Sequence, residues 1–283
     1  MTSTSDPIIG FLHPGKMGAA MASVLTDGIP HWTGDRSPAT AARADDASMT
    51  VMPLSEMAEQ ASIIVSICPP AAAVETAAQV EAVGYAGIYV DANAVAPATA
   101  RSIAQRFDRF VDASVVGPPP VNGRTARLYL SGPEAQTVAH LWTGSALEAR
   151  IVGEQAGAAS AVKMGYAGYT KGLAALVLNI HAFADAEGIA VPLLTEFIES
   201  QPAFEPVSTR ARGAVVGKAW RFAAEMDEIA ASYEANQLPG EFWSAAAEIY
   251  RRLDEFRDAD PAPPLKVLLE AIQQNASASE TTG

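Results

Sequence analysis

Cysteine is almost absent from this 283-residue chain, Cys68 being the single example. One thiol excludes an intramolecular disulfide and a thiolate zinc cluster, and no metal site is expected. Basic residues are scarce too: 19 Lys plus Arg face 32 Asp plus Glu, a formal net charge of -13. Without a dense basic face, a nucleic-acid partner is not expected. Long apolar runs are also missing. The most apolar helical stretch, residues 172–184, is closed by Lys171 and Asp185, short of the about 20 residues that span a bilayer. The polar start "MTSTSDP" runs straight into a strand-like segment, with no apolar leader region. These absences lead to the expectation of a soluble, cytoplasmic protein with no membrane partner and a small-molecule ligand.

What is present is an ordinary globular balance, with 49% apolar residues. A chain of this length buries roughly 70–75% of its unfolded surface and forms two domains. Strand-like runs occur at "PIIGFL" (7–12), "PHWTG" (30–34), "SIIVSI" (62–67), "GIYVDA" (87–92), "RFVDASVV" (109–116) and "RLYLSG" (127–132). Ala-rich amphipathic stretches separate most of them. The alternation predicts an α/β domain, doubly wound, with a mostly parallel sheet covered on both faces. Beyond residue 153 no convincing strand follows. Residues 154–188 read as one long helix ending at Gly188, apolar nearly all round and therefore expected to be buried between domains or subunits. The boundary is set at 152, giving an α/β domain over 1–152 and an all-α domain over 153–283, with about 275–283 as a disordered tail.

The stretch "IIGFLHPGKMGAAMASVL" (8–25) predicts a strand, a tight turn and a helix. In a G-x-G-x-x-G turn, Gly15 and Gly18 hold the last two glycine places, but His13 stands in the first. Such a turn offers backbone N–H groups and a positive helix end to a pyrophosphate; a strand–helix turn with no ligand is the alternative. Candidate cofactor contacts are Leu12, His13, Pro14, Gly15, Lys16 and Met17. At the end of the second strand, Arg36 and Ser37 are placed to take a 2′-phosphate, whereas Asp35 suits a free 2′-OH. A solvated loop is the bland reading there. On balance the cofactor expected is NADP(H), with NAD(H) as the alternative.

"SICPP" (66–70) and "DANAVAP" (91–97) fall at carboxyl ends of strands, the ligand side of a doubly wound sheet. Cys68, Pro69 and Pro70 join the cofactor set, Cys68 as a small apolar packer rather than a nucleophile. Asn93 either binds the nicotinamide amide or a substrate carboxylate, or caps the helix near Pro97. Lys163 lies in a charge-poor helix, where burial lowers an amine's pKa towards neutrality and suits it to proton transfer; a snorkelling or ion-paired lysine is the alternative. At 100° per residue, Tyr166, Ala167 and Thr170 share its face while Lys171 is displaced by about 80°. His181 returns to that azimuth about 27 Å along the axis, too far to join.

Taken in order, these motifs resemble the β-hydroxyacid dehydrogenase superfamily, which includes 6-phosphogluconate dehydrogenase, 3-hydroxyisobutyrate dehydrogenase and the imine reductases. "IGFLHPGKMGAAMA" is similar to the family's IGFIGLGxMGxxMA, "DANAVAP" to D-x-S-T-x-x-P, "DASVVGPPP" to D-A-P-V-S-G-G, and "GAASAVK" to G-x-G-x-x-x-K. The resemblance covers about residues 7–190 and continues loosely to about 255. It implies a Rossmann-like domain, a helical C-terminal domain through which the protein forms a homodimer, and hydride transfer between NAD(P) and a carbonyl, alcohol or imine carbon. Lys163 falls at the catalytic lysine. The departures lie at the substrate: Tyr166 and Ala167 replace two Asn, Asn93 and Ala94 replace Ser and Thr, and Val116, Gly117 and Pro118 replace S-G-G. The expected catalytic pair is Lys163 with the Tyr166 phenol. Expected substrate contacts are Asn93, Gly117, Pro118, Tyr166, Thr170 and Lys171. Trp220 and Trp243 either line the pocket or pack the core. A non-catalytic dinucleotide-binding or sensor protein of the same fold is the alternative.

Overall fold

In the computed structural model, residues 6–34, 37–215, 218–257, 259, 261 and 263–274 are described. The chain divides into two compact units, Met1–Met164 and Gly165–Gly283. Arg36 and the expected tail at 275–283 lie outside the described residues.

The first unit carries β1 (Ile8–Leu12), α1 (Lys16–Ser23), β2 (Ile29–Trp32), α2 (Pro38–Asp46), β3 (Thr50–Val51), α3 (Leu54–Gln60), β4 (Ile63–Ser66), α4 (Ala73–Ala82), β5 (Ile88–Asp91), α5 (Pro97–Ala104), β6 (Phe110–Val116), β7 (Ala126–Ser131), α6 (Ala135–His140) and β8 (Leu147–Gly153). The eight strands form one sheet in the order β3-β2-β1-β4-β5-β6-β7-β8. All pairs are parallel except β6 with β7. The chain order reverses between β1 and β4, which places a crevice outside their carboxyl ends.

Period-two alternation builds both faces of the sheet. Ile9, Phe11, Ile63, Val65, Ile88 and Val90 enter one core cluster, while Leu12, Ile64 and Tyr89 enter the opposite one. Strands buried on both sides need continuous apolar runs, and that is why β1, β4, β5 and β6 are readable from sequence. Two strands are not among those expected. β3 is two exposed residues. β8 is an edge strand paired only with β7, and of its residues only Leu147 is fully buried, so polar residues interrupt its apolar pattern.

The long helix, α7, runs Ala158–Ala186, with Gly188 at φ +68 just beyond it. The second unit contains α8 (Ala190–Ser200), α9 (Phe204–Val215), α10 (Ala219–Glu234), α11 (Glu241–Arg251) and α12 (Leu265–Gln273). Within the single chain α7 is not covered on every face. Tyr166, Tyr169, Leu176 and Phe183 are 50%, 69%, 40% and 59% exposed. Seven-residue spacing sets Tyr169, Leu176 and Phe183 on one stripe, while alanines and glycines on the other faces take the packing. Gly172 is one of these: a Cβ there would lie 2.5 Å from the Trp243 ring. Half-buried Trp243 thus packs against α7 beside Phe242 and Tyr233, and Trp220 is 42% exposed with Arg257 over its ring. No helix among the described residues is long and apolar enough to cross a membrane.

Candidate active site

Three loops at the carboxyl ends of β1, β4 and β5 are joined by one hydrogen-bond network. The turn after β1 comes first. His13 adopts φ +58, the left-handed conformation that glycine adopts without strain and other residues rarely do. The odd letter therefore keeps the backbone shape of the missing glycine. His13 O accepts from Gly15 N at 2.7 Å, and its ring Nε2 lies 3.5 Å from Thr76 Oγ1 on α4. Gly15 precedes α1 with no side-chain cap, and no atom lies within 4 Å of where its Cβ would stand. First-turn N–H groups without a side-chain cap, beside a glycine that leaves room for close approach, fit a pyrophosphate. Gly18 is required for a different reason: its Cβ would come within 2.8 Å of Ile67, and α1 sits against the sheet there.

From Thr76 the network continues to Cys68 Sγ at 3.7 Å, and Cys68 Sγ lies 3.9 Å from Ser66 Oγ. Burial pushes the Cys68 thiol above its ordinary value, which keeps it protonated and suits packing, not nucleophilic attack. Cys68 N donates to Asn93 Oδ1 at 2.6 Å, and Asn93 Nδ2 donates to Ser66 Oγ at 3.1 Å and to Asp91 Oδ1 at 2.5 Å. Both Asn93 amide protons are therefore committed, and one carbonyl lone pair remains for a ligand N–H. The capping alternative for Asn93 is excluded, because Ala96 occupies the N-cap of α5.

Asp91 is the buried anchor of this network. Its Oδ1 also accepts from Asn93 N at 3.0 Å, while Oδ2 has no hydrogen-bond partner among the described residues. Burial, reinforced by the charge of Asp112, raises its pKa to about 7 against the hydrogen bonds from Asn93. A carboxyl whose folded pKa is raised stabilises the fold fully below its unfolded value, about 3.9; that contribution is lost as pH rises through 7. Asp91→Asn keeps the acceptor and removes the titration. The difference in unfolding temperature between wild type and Asp91→Asn is expected to turn against the wild type between pH 5 and pH 8. A difference that stays constant over that range would remove Asp91 as the titrating group.

On the next strand, β6, Lys163 of α7 donates to the Val115 carbonyl at 2.7 Å. Among the described residues no carboxylate pairs with it, and desolvation alone lowers its pKa from the ordinary lysine value. The ammonium has two further N–H bonds to offer, so it can hand over or take up a proton close to the end of β6. Gly117, at φ +128, and Pro118 follow directly as an exposed turn. The start of α7 is held by Asp112, fully buried on β6: it accepts from Ser131 Oγ, Gly157 N, Ser160 N and Ser160 Oγ at 3.1, 2.9, 3.0 and 2.7 Å.

The remaining expected residues fall as follows. Leu12 and Pro14 are buried, Met17 packs against the core, and Lys16 and Pro69 are exposed, with Pro70 opening a short 3-10 turn. Ser37 precedes α2, its hydroxyl 3.2 Å from Thr40 Oγ1. In the helical unit Tyr166 is half exposed, and Thr170 Oγ1 donates to Tyr166 O at 3.0 Å. Lys171 is paired with Glu225 and lies 4.9 Å from the Phe222 ring centroid, so its charge is already met and it is not a free cation for substrate. Among the described residues no His, Cys, Asp or Glu cluster could hold a metal. Sequence reasoning passed over Ser66, Thr76, Asp91 and Asp112. For Ser66, Asp91 and Asp112 the signal was a polar residue inside or ending an otherwise apolar strand, as in "IIVS", "IYVD" and "FVDASVV"; Thr76, on α4, carried no such signal.

Residues 184–253 match a family described as Domain of unknown function (DUF1932). An uncharacterized 28.5 kDa protein from the 7S RNA 5′ region of Methanothermus fervidus is 28% identical over 199 residues, 68% of this chain and 77% of its own. A solved conserved protein of unknown function, described as structurally similar to 3-hydroxyacid dehydrogenases, has a TM-score of 0.69 at 26% identity, covering 88% of this chain and 97% of that one. The Mycobacterium tuberculosis 3-hydroxyisobutyrate dehydrogenase, solved with L-serine, gives 0.68 at 17% identity over 95% and 100% of the two chains. An imine reductase variant from Myxococcus stipitatus, in complex with NAD+, gives 0.55 at 17% identity over 95% and 100%.

Proposed function

We propose that this chain, which has the fold of the 3-hydroxyacid dehydrogenases and imine reductases, is an NAD(P)-dependent oxidoreductase acting on a small carbonyl, alcohol or imine compound. The observation that carries the reading is Lys163, a desolvated amine without a carboxylate partner at the same edge of the sheet as the uncapped α1 turn. The NAD+ in the imine reductase of this fold supports the cofactor class. When bound, the nicotinamide supplies the hydride. The chain supplies the rest.

The N–H groups of Lys16, Met17 and Gly18 at the start of α1 meet the pyrophosphate, helped by the positive end of the helix dipole. The free lone pair of Asn93 accepts from the carboxamide N–H, and the committed amide protons fix its orientation. On reduction, Lys163 gives a proton to the oxygen or nitrogen on which charge develops; on oxidation, the neutral amine takes it back. Desolvation lowers its pKa and so eases loss of that proton, and the Val115 carbonyl aims it. Gly117 and Pro118, directly after β6, are the substrate contacts of the first unit; the Tyr166 phenol and Thr170 hydroxyl of the helical unit are the polar groups it offers a substrate. Arg36 and Ser37 select NADP(H) through the 2′-phosphate. Tyr169, Leu176 and Phe183 form the stripe by which the helical unit pairs with a second copy in the cytoplasm.

The test is a panel of aldehydes, ketones, 2-oxo acids and cyclic imines, followed by loss of NADPH absorbance. Substrate-dependent oxidation is expected for at least one class, and oxidation with none would favour a non-catalytic dinucleotide sensor. Arg36→Ala is expected to weaken NADPH binding on the order of ten-fold or more and NADH little. Equal losses for the two cofactors would remove Arg36 from the phosphate.

A further inference from the structure

The helical unit holds a cavity of about 470 Å³ that the proposed reaction does not use. It is lined by the end of α7, by α8, α9 and α12, all within Gly165–Gly283. Its volume is in the range of small-molecule sites. Leu194, Phe204, Leu265 and Leu269 make most of it apolar. The polar groups converge at His181, Ser208 and Arg212. His181 and Ser208 are 8% and 4% exposed and share a 2.7 Å hydrogen bond. With both groups satisfied by each other, they add polarity without a net charge.

Arg212 differs from them. Among the described residues its guanidinium has no ion pair and no hydrogen-bond acceptor, yet its charge is felt at His181, where with burial it holds the imidazole pKa below its ordinary value. The neutral imidazole therefore does not compete with Arg212 for an anion. Neither lining carboxylate forms an ion pair with it among the described residues. Asp185 accepts from the Gln273 amide at 3.1 Å. Glu205 lies two turns earlier on α9, about 10 Å along the helix axis. Lys266, also lining the cavity, is a second cation without a described partner. An apolar chamber whose polar end carries an unpaired planar fork of N–H donors matches one ligand chemistry: an apolar body carrying one carboxylate.

We propose that this cavity binds an apolar monocarboxylate, its chain among Leu194, Phe204 and Leu269 and its carboxylate on Arg212. The test uses the full chain and two probes with one body, octanoate and octanol, in calorimetric titrations. Octanoate is expected to bind at least about ten-fold tighter than octanol. Arg212→Gln abolishes that preference while leaving octanol binding and the unfolding temperature in place. Leu269→Trp fills the chamber and removes both. Equal affinity for the two probes, or octanoate binding untouched in either variant, would overturn the proposal. So would failure of octanoate to bind to a protein whose self-association, followed by sedimentation, is lost in Arg212→Gln; the cavity then belongs to a second copy. None of these readouts uses the nicotinamide reaction, so the proposal stands or falls apart from it.

Discussion

Turnover of Lys163→Ala is expected to fall on the order of 100-fold or more, with NADPH binding unchanged. The loss lies in the chemical step because the amine at the end of β6 is desolvated and, among the described residues, pairs with no carboxylate. Lys163→Arg is not expected to rescue it, since a guanidinium stays charged and gives no proton at any working pH. The pH profile carries a sign as well. Reduction needs the protonated amine, so its rate falls as pH rises through the lowered lysine pKa, while oxidation rises over the same range. Stability moves the other way from activity: a cation held away from water costs the fold, so Lys163→Met is expected to unfold at the same temperature as wild type or higher. Undiminished turnover in Lys163→Ala would remove the residue from the mechanism.

The second large effect is on stability. Asp112→Ala leaves the backbone N–H groups of Gly157 and Ser160 and the hydroxyls of Ser131 and Ser160 without their acceptor, all inside the protein. Orphaned buried donors at the start of a 29-residue helix are expected to cost about 3–5 kcal/mol. For a chain of this size that lowers the unfolding temperature by roughly 10 °C. Asp112→Asn keeps an acceptor for the N–H groups and can donate to the Ser160 hydroxyl, so its loss is expected to be less than half as large. Thermal unfolding of the two variants side by side decides it, and equal losses would mean the charge, not the hydrogen-bond geometry, holds α7.

How far the sequence carried this reading depends on the range of the physics involved. β1, β4, β5 and β6 were legible because both their faces are buried, and a strand buried on both faces has to be apolar throughout. α7 and Lys163 were legible because one ammonium in a charge-poor helix stands out. β8 was not, since an edge strand needs apolar residues only where it meets the core. The Asp91–Asn93–Ser66–Cys68 network was not legible as a network, because it depends on parallel registers that bring Ser66 beside Asp91 and Asp91 beside Asp112. His13 shows the limit most clearly. The local pattern registers a missing glycine, but the ring's neighbour, Thr76, is 63 residues away, and the left-handed backbone at His13 is visible only in three dimensions. The partners of α7 were not legible for a related reason: apolar residues all round a helix do not say which of them find a neighbour in the same chain.

The central claim is that the turn "FLHPGKMG" and the network behind it hold a nicotinamide dinucleotide. The most direct measurement is titration of the purified protein with NADPH and NADH, followed by nicotinamide fluorescence and by the shift in unfolding temperature. Both cofactors are expected to bind and to raise the unfolding temperature, NADPH the more tightly, and Gly18→Val, whose side chain collides with Ile67, is expected to weaken both. No fluorescence change and no thermal shift with either cofactor would contradict the account.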